Sequence, residues 1–240
     1  MTAPRLLVIQ HNLDDHLNEL GGPLIDAGLE IEPWFTTTGP EPDLDASAYH
    51  GIVSLGALAG LEDEAEHPWM STERRVLEKA LAGGVPTLGI CFGAQMLASI
   101  AGAEVRRAEV PEIGWATVEM DPAAADDPVL CVLGERLSVF QYHYDAFGSP
   151  ENGRILGWTG ATNQVLAVGE RAWGVQFHVE VNPGTVFSWI GTYGEEMRAH
   201  GVDVDAVAVE TRDRWTTYRE VARALSSAFA REVVAFAECA

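Results

Sequence analysis

An apolar run at residues 85–90 passes through Gly89-Ile90-Cys91-Phe92-Gly93-Ala94 into residues 95–101, which carry helical spacing. A buried strand that turns this abruptly into a helix belongs to a layered α/β fold, with helices covering a sheet. The glycines flanking Cys91 permit a tight, strained turn that pushes the thiol out over the sheet edge. The same turn sets the thiol at a helix N-terminus, where unpaired N–H groups and the helix dipole favour the thiolate. A cysteine so placed is a candidate nucleophile. A buried cysteine among small residues also serves as plain packing, so the choice turns on whether the sequence supplies a base and a group to orient it.

The rest of the first half repeats the alternation. Apolar runs at residues 6–10, 28–34 and 49–55 read as strands. Helical spacing occurs near residues 17–27 and over residues 71–82 (Val76, Leu77, Ala80, Leu81), where Gly83-Gly84 gives a stop signal. Strands alternating with helices predict a doubly wound, mostly parallel central sheet covered on both faces. Ligands of such sheets sit beyond the carboxyl ends of the strands, where Gly56 and Cys91 both lie. From residue 105 the texture changes. Residues 116–120, 137–144, 155–158, 165–168 and 172–177 are shorter runs between turn residues, which predicts an antiparallel extension of the sheet. From Gly184 the spacing is helical, and Val221, Leu225, Phe229, Val233 and Phe236 form an apolar stripe that reads as core packing. Residues 1–240 show no internal repeat or linker, so they read as a single domain with a C-terminal helical extension at about 200–240.

The 36 acidic and 15 basic residues give a formal charge of −21. Such a surface repels nucleic acid and anionic membranes, so neither is an expected partner. No apolar run reaches the length of a membrane span. Cys91, Cys131 and Cys239 are an odd number without paired spacing, which argues against a disulfide framework. The first residues run directly into a strand, without signal-peptide architecture. The expectation is a soluble protein of a reducing cytoplasm.

Downstream, Trp173-Gly174-Val175-Gln176-Phe177 leads into His178-Val179-Glu180. On a strand, side chains two apart share a face. Glu180 is then expected beside His178, fixing its tautomer and leaving the second ring nitrogen free to take a proton from Cys91. An isolated H-x-E is more often a surface pair or a satisfied core histidine. Following a cysteine elbow, it favours catalysis.

Gly89-Ile90-Cys91-Phe92-Gly93-Ala94-Gln95 together with Gln176-Phe177-His178-Val179-Glu180 resembles the class I glutamine amidotransferases. Pro111-Glu112-Ile113-Gly114-Trp115 and residues 140–147 are similar to the stand-alone GMP synthase-like domains of that class, relatives of the γ-glutamyl hydrolases. The resemblance covers residues 6–191 and implies a flavodoxin-like fold with a Cys91-His178-Glu180 triad. It further implies attack by Cys91 on the γ-carbonyl of glutamine, a γ-glutamyl thioester, release of ammonia, and hydrolysis to glutamate, with no cofactor. Backbone N–H groups of Phe92 and of the Gly56-Ala57 turn are the implied oxyanion donors, and Gln95, Tyr142, His143 and Asp145 the implied substrate contacts. For Tyr142, His143 and Asp145 the residues themselves equally allow the polar face of a strand.

Two positions depart from the family pattern. Gly56-Ala57-Leu58 stands where the family has Gly-Gly-Pro, and Val179 stands where it has proline. Alanine resists the positive φ that glycine adopts freely, so either the turn takes a conformation alanine tolerates or this donor is misaligned. The sequence has no P-loop or second catalytic segment. An ammonia acceptor would therefore be a separate synthetase subunit. Two alternatives stand beside glutamine hydrolysis: a γ-glutamyl peptide or conjugate hydrolase, and a non-catalytic subunit that binds a partner enzyme. His11, Asp14, Asp15 and His16 have metal-ligand chemistry but no diagnostic spacing, so they read as a solvated loop near the pocket and no metal is expected. Glu62, Asp63, Glu64 and Glu66 read as an acidic loop at the mouth, and Cys131 and Cys239 as inert thiols.

Overall fold

The structure, a computed structural model, describes residues 2–38 and 48–239. Among the described residues nine strands form one sheet in the order β2-β1-β3-β4-β9-β8-β7-β5-β6. The first five of these positions are parallel: β2 (Glu30–Phe35), β1 (Arg5–Gln10), β3 (Gly51–Ser54), β4 (Thr87–Ile90) and β9 (Ala172–Val175). This is the 2-1-3-4-5 order of flavodoxin-like sheets. The central strands β3, β4 and β9 are buried along their whole length, as expected of strands covered on both faces.

The helices α1 (Gly21–Asp26) and α2 (Trp69–Ala82) connect parallel strands, and α3 (Phe92–Ile100) leads from β4 toward the antiparallel part of the sheet. In α2 the buried Val76, Leu77 and Ala80 face the sheet. The helix ends at Gly83, and Gly84, at φ +66°, lets Val85 return its N–H to Ala80 O. Helix α3 lies unusually close to the sheet. A Cβ on Gly89 would stand 2.5 Å from the backbone of Gly93, and one on Gly174 would press on Ala94 of the helix. These glycines give room for α3 to pack directly against β4 and β9.

Beyond β9 the sheet turns antiparallel through β8 (Asn163–Val168), β7 (Gly153–Trp158), β5 (Val105–Met120) and β6 (Arg136–Phe147). Where the sequence suggests a short run at residues 116–120, residues 105–120 form one long strand with a register shift between Arg107 and Glu112. The shift explains the broken periodicity, because a bulge moves side chains to the other face.

Two helices complete the chain, α4 (Pro183–Ala199) and α5 (Val204–Cys239). Asn182 caps α4 by accepting from Thr185 N–H at 3.0 Å. The stripe on α5 packs as expected: Leu225, Phe229 and Val233 are fully buried, and Phe229 meets Trp173 of β9 edge to face. Burying a side chain of this size contributes about 1.5–3 kcal/mol. Among the described residues no helix is long and apolar enough to cross a membrane.

Candidate active site

The turn at Cys91 carries the strain that the sequence places on its glycines. Cys91 itself sits at φ +50°, ψ −103°, one of two described non-glycine residues with positive φ. Such a conformation costs about 1–3 kcal/mol and persists only where its surroundings enforce it. Here both neighbouring strands do so. Cys91 N–H donates to Val175 O at 2.9 Å, and Gly93 N–H donates to Leu55 O at 3.2 Å. Gly93 is needed for contact, since a Cβ there would collide with Ser54 of β3. The thiol thus stands at the start of α3, 3.7 Å from Gln176 Nε2, which donates to Sγ.

His178 and Glu180 are not on a strand, contrary to expectation. Strand β9 ends at Val175, and residues 176–180 bend away from the sheet. The loop is fixed from three sides: His178 N–H donates to Phe140 O at 2.9 Å, Tyr218 Oη on α5 donates to His178 O at 2.7 Å, and Glu180 O accepts from Glu19 N–H. The expected pairing is nevertheless present. His178 Nδ1 lies 2.6 Å from Glu180 Oε1, both groups are buried, and the ring stands edge-on to Trp189. Burial alone disfavours a charged ring. Glu180, and the charge and hydrogen bonding of the Cys91 side chain, outweigh it and hold His178 well above its ordinary pKa of 6.5. Cys91 and His178 line the same cavity of about 370 Å³, a size suited to a small-molecule ligand.

Of the three oxyanion candidates, Ala57 lines that cavity, while Gly56 and Phe92 stand next in the chain to the lining residues Ala57 and Cys91. Phe92 N–H opens α3 and so has no acceptor within the helix. Ala57 lines the cavity, and its φ is not positive. The turn therefore takes a conformation that alanine tolerates. Gly56 is required for space: a Cβ there would stand 2.6 Å from Asp15 Oδ2 and 3.0 Å from His178 Cε1.

The four expected substrate contacts also line the cavity. Gln95 Nε2 donates to Asp145 O at 3.1 Å and to Gln176 Oε1 at 3.3 Å, tying α3 to β6. His143 Nδ1 lies 2.9 Å from Asp145 O, and burial depresses its pKa to about 4, so the ring is neutral at physiological pH. Burial raises the Asp145 carboxyl, against the pull of Arg107 at 3.7 Å. Tyr142, Tyr144, Tyr193 and Trp189 form an aromatic wall, and burial pushes the Tyr144 hydroxyl up to about 12. Of the acidic residues 62–66, Glu62 and Asp63 line the cavity, and Glu64 and Glu66 do not.

The solvated-loop expectation for residues 11–16 holds for Asp14, which is exposed, but not for His11 and Asp15, which are each 3% exposed. Asp15, His178 and Glu180 each place one donor atom within 4.8 Å of the others. Asp15 Oδ1 and Glu180 Oε2 are both buried without a hydrogen-bond partner among the described residues. Burial first, then the charge of Glu180, drive the Asp15 pKa well above 3.8, with His178 opposing. Sequence reasoning missed Asp15, Gln176 and Tyr218 as members of this site. Only Gln176 carried a signal, its place two residues before His178.

A family model described as glutamine amidotransferase class-I matches residues 9–187. A glutamine-hydrolyzing GMP synthase of Symbiobacterium thermophilum is 36% identical over 160 residues, 65% of this chain but only 29% of that protein. One subunit of the glutamine-hydrolyzing GMP synthase of Sulfolobus acidocaldarius is 38% identical over 100 residues, 40% of this chain and 52% of that polypeptide. Each match thus spans about half or less of the relative's own length. A glutamine amidotransferase structure from Thermotoga maritima has a TM-score of 0.86 at 28% identity, covering 96% of this chain and 99% of that one.

Proposed function

This chain belongs to the class I glutamine amidotransferases, and from that membership we propose that it hydrolyses the γ-amide of glutamine with Cys91 as nucleophile, His178 as proton carrier and Glu180 as orienter. The observation that carries the proposal is the 2.6 Å contact between His178 Nδ1 and Glu180 Oε1 at the wall of the cavity that holds the Cys91 elbow. That bond directs the other ring nitrogen toward chemistry.

In this reading the Cys91 thiolate attacks the γ-carbonyl carbon, forming a C–S bond and placing the electron pair on oxygen. Phe92 and Ala57 N–H groups stabilise that oxyanion. The intermediate collapses as the C–N bond breaks, and His178 gives its proton to the departing ammonia. Water, deprotonated by His178, then attacks the γ-glutamyl thioester and releases glutamate and the free thiolate. Gln95, Tyr142, His143 and Asp145 hold the glutamyl group. Residues 1–240 act as one domain in a reducing compartment, in keeping with three unpaired cysteines. The ammonia acceptor is a separate polypeptide, in keeping with the similarity to a protein named as one subunit of a GMP synthase.

The aromatic wall favours a second substrate class, γ-glutamyl amides with a larger leaving group. Purified protein and its C91A variant, assayed for glutamate release from glutamine and a panel of γ-glutamyl amides, test both. Glutamine turnover lost in C91A supports the first reading, and much faster cleavage of the larger amides supports the second. If nothing in the panel is turned over, and a glutamine-mimicking electrophile leaves Cys91 unlabelled, the enzyme reading fails.

A further inference from the structure

Beneath the Gly56 turn lies a buried polar network that the proposed triad does not use. His11 follows β1, Ser54 ends β3 and Glu73 stands on α2, and none is more than 3% exposed. His11 Nδ1 lies 2.9 Å from Gly56 O, and its Nε2 lies 2.8 Å from Glu73 Oε2. Ser54 Oγ donates to the other Glu73 oxygen at 2.5 Å. A carbonyl oxygen only accepts, so Nδ1 carries the hydrogen in the His11–Gly56 bond. Trp69 at 4.6 Å and Phe92 at 5.0 Å between ring centroids hold the imidazole in place.

A buried Glu–His pair is costly to desolvate and is weak evidence of stabilisation. This one has a directional consequence. In a trans peptide the C=O and N–H point to opposite sides, and no described peptide bond is cis. Turning Gly56 O toward His11 therefore turns Ala57 N–H away from His11, and Ala57 itself lines the Cys91 cavity. No acceptor among the described residues engages that N–H.

We propose that His11, braced by Glu73 and Ser54, is a positioning residue that aims the Ala57 N–H at the oxyanion formed on attack by Cys91. The inference rests on Cys91 as nucleophile and on Ala57 as donor, but not on glutamine as substrate. The network supplies by side-chain hydrogen bonds the orientation of a turn that has alanine at its centre.

Two Cys91 reagents test it. Acylation by 4-nitrophenyl acetate passes through a tetrahedral oxyanion: the thiolate bonds the carbonyl carbon and 4-nitrophenolate leaves. Alkylation by iodoacetamide is a direct displacement of iodide and forms no oxyanion. In H11A the nitrophenolate burst slows about 10²-fold, the size of losing one oxyanion donor, while alkylation stays within about threefold of wild type. H11N places an amide N–H near the former Nδ1 and recovers at least tenfold of the loss, and E73Q falls between. Circular dichroism and urea unfolding of each variant check that it is folded. Equal slowing with both reagents, an undiminished burst in folded H11A, or an H11N no faster than H11A overturns the proposal. A burst that persists in C91A removes the nucleophile reading and this inference with it. Glutamine turnover by wild type is a separate measurement, so failure of the substrate reading is distinguishable.

Discussion

In the parallel half of the sheet, Cys91 and the Gly56-Ala57 turn stand just past β4 and β3, where each strand must end for the next helix to begin. In the antiparallel half, Tyr142, His143 and Asp145 lie in the interior of β6, and nothing in their immediate sequence separates a cavity wall from an ordinary strand face. The parallel half places its groups with backbone geometry: a positive-φ cysteine, a helix N-terminus and glycines that let α3 touch the strands. The antiparallel half places its groups by register, through a long hairpin with a shift between Arg107 and Glu112. Under the proposed function the difference teaches a division of labour, with the nucleophile and its oxyanion donors built by the parallel half and the glutamyl contacts, Gln95 apart, supplied by the antiparallel half.

The largest test of that division is removal of the chemistry. C91A and H178A should each lower kcat for glutamine by about 10⁴-fold or more, comparable with loss of a nucleophile or base in other triads. Steady-state glutamate release reads this, and a residual rate close to wild type in C91A would move the chemistry away from the elbow.

Gly93→Ala is expected to lower stability by about 1–3 kcal/mol, because the new methyl group meets Ser54 where helix and strand already touch. Urea unfolding monitored by tryptophan fluorescence gives the value. An unchanged midpoint would mean that α3 does not depend on this contact for its seat.

In the antiparallel half, D145N should raise KM about tenfold and leave kcat within about threefold, the mark of an interaction made equally in ground and transition states. A loss carried in kcat instead would break the division between the halves.

The smallest effect concerns pH. Asp15 is raised above 3.8 in the folded protein, so its contribution to stability is complete below 3.8 and declines as pH rises toward the folded value. In that window the decline reaches up to about 1.4 kcal/mol per pH unit. The asparagine of D15N does not titrate, so the stability of that variant relative to wild type should rise as pH increases from 3.8 toward the raised folded value. His178 has the same sign: its stabilisation is complete below 6.5 and falls as pH passes its raised value. Unfolding at two pH values decides the matter, and parallel curves for D15N and wild type would show that Asp15 is already ionised.

Much of this was legible in the chain. The alternation up to residue 101 reads directly as strands and helices because each apolar face is periodic over a few residues. The G-x-C-x-G turn and the H-x-E pair are likewise local. Less legible were the residues that support them. His11 and Asp15 sit in a polar stretch that composition assigns to solvent, yet both are buried. The supporting partners are remote: Glu73 lies 62 positions from His11, and Tyr218 lies 40 positions from His178. A polar side chain is tolerated in the interior only when such partners arrive, and no local pattern reports their arrival.

The sequence by itself determined the α/β layering, the elbow at Cys91 and the pairing of His178 with Glu180, since these depend on periodicity and on residues close along the chain. Tertiary structure decided that His178 and Glu180 pair in a loop beyond β9, that α5 holds that loop through Tyr218, and that Asp15 lies against both. It also decided how alanine serves in the Gly56-Ala57 turn, because the direction of that peptide is set by the hydrogen bond its carbonyl makes with His11. Backbone preferences act over a few residues, whereas the pairing of buried polar groups is settled only when distant segments pack together.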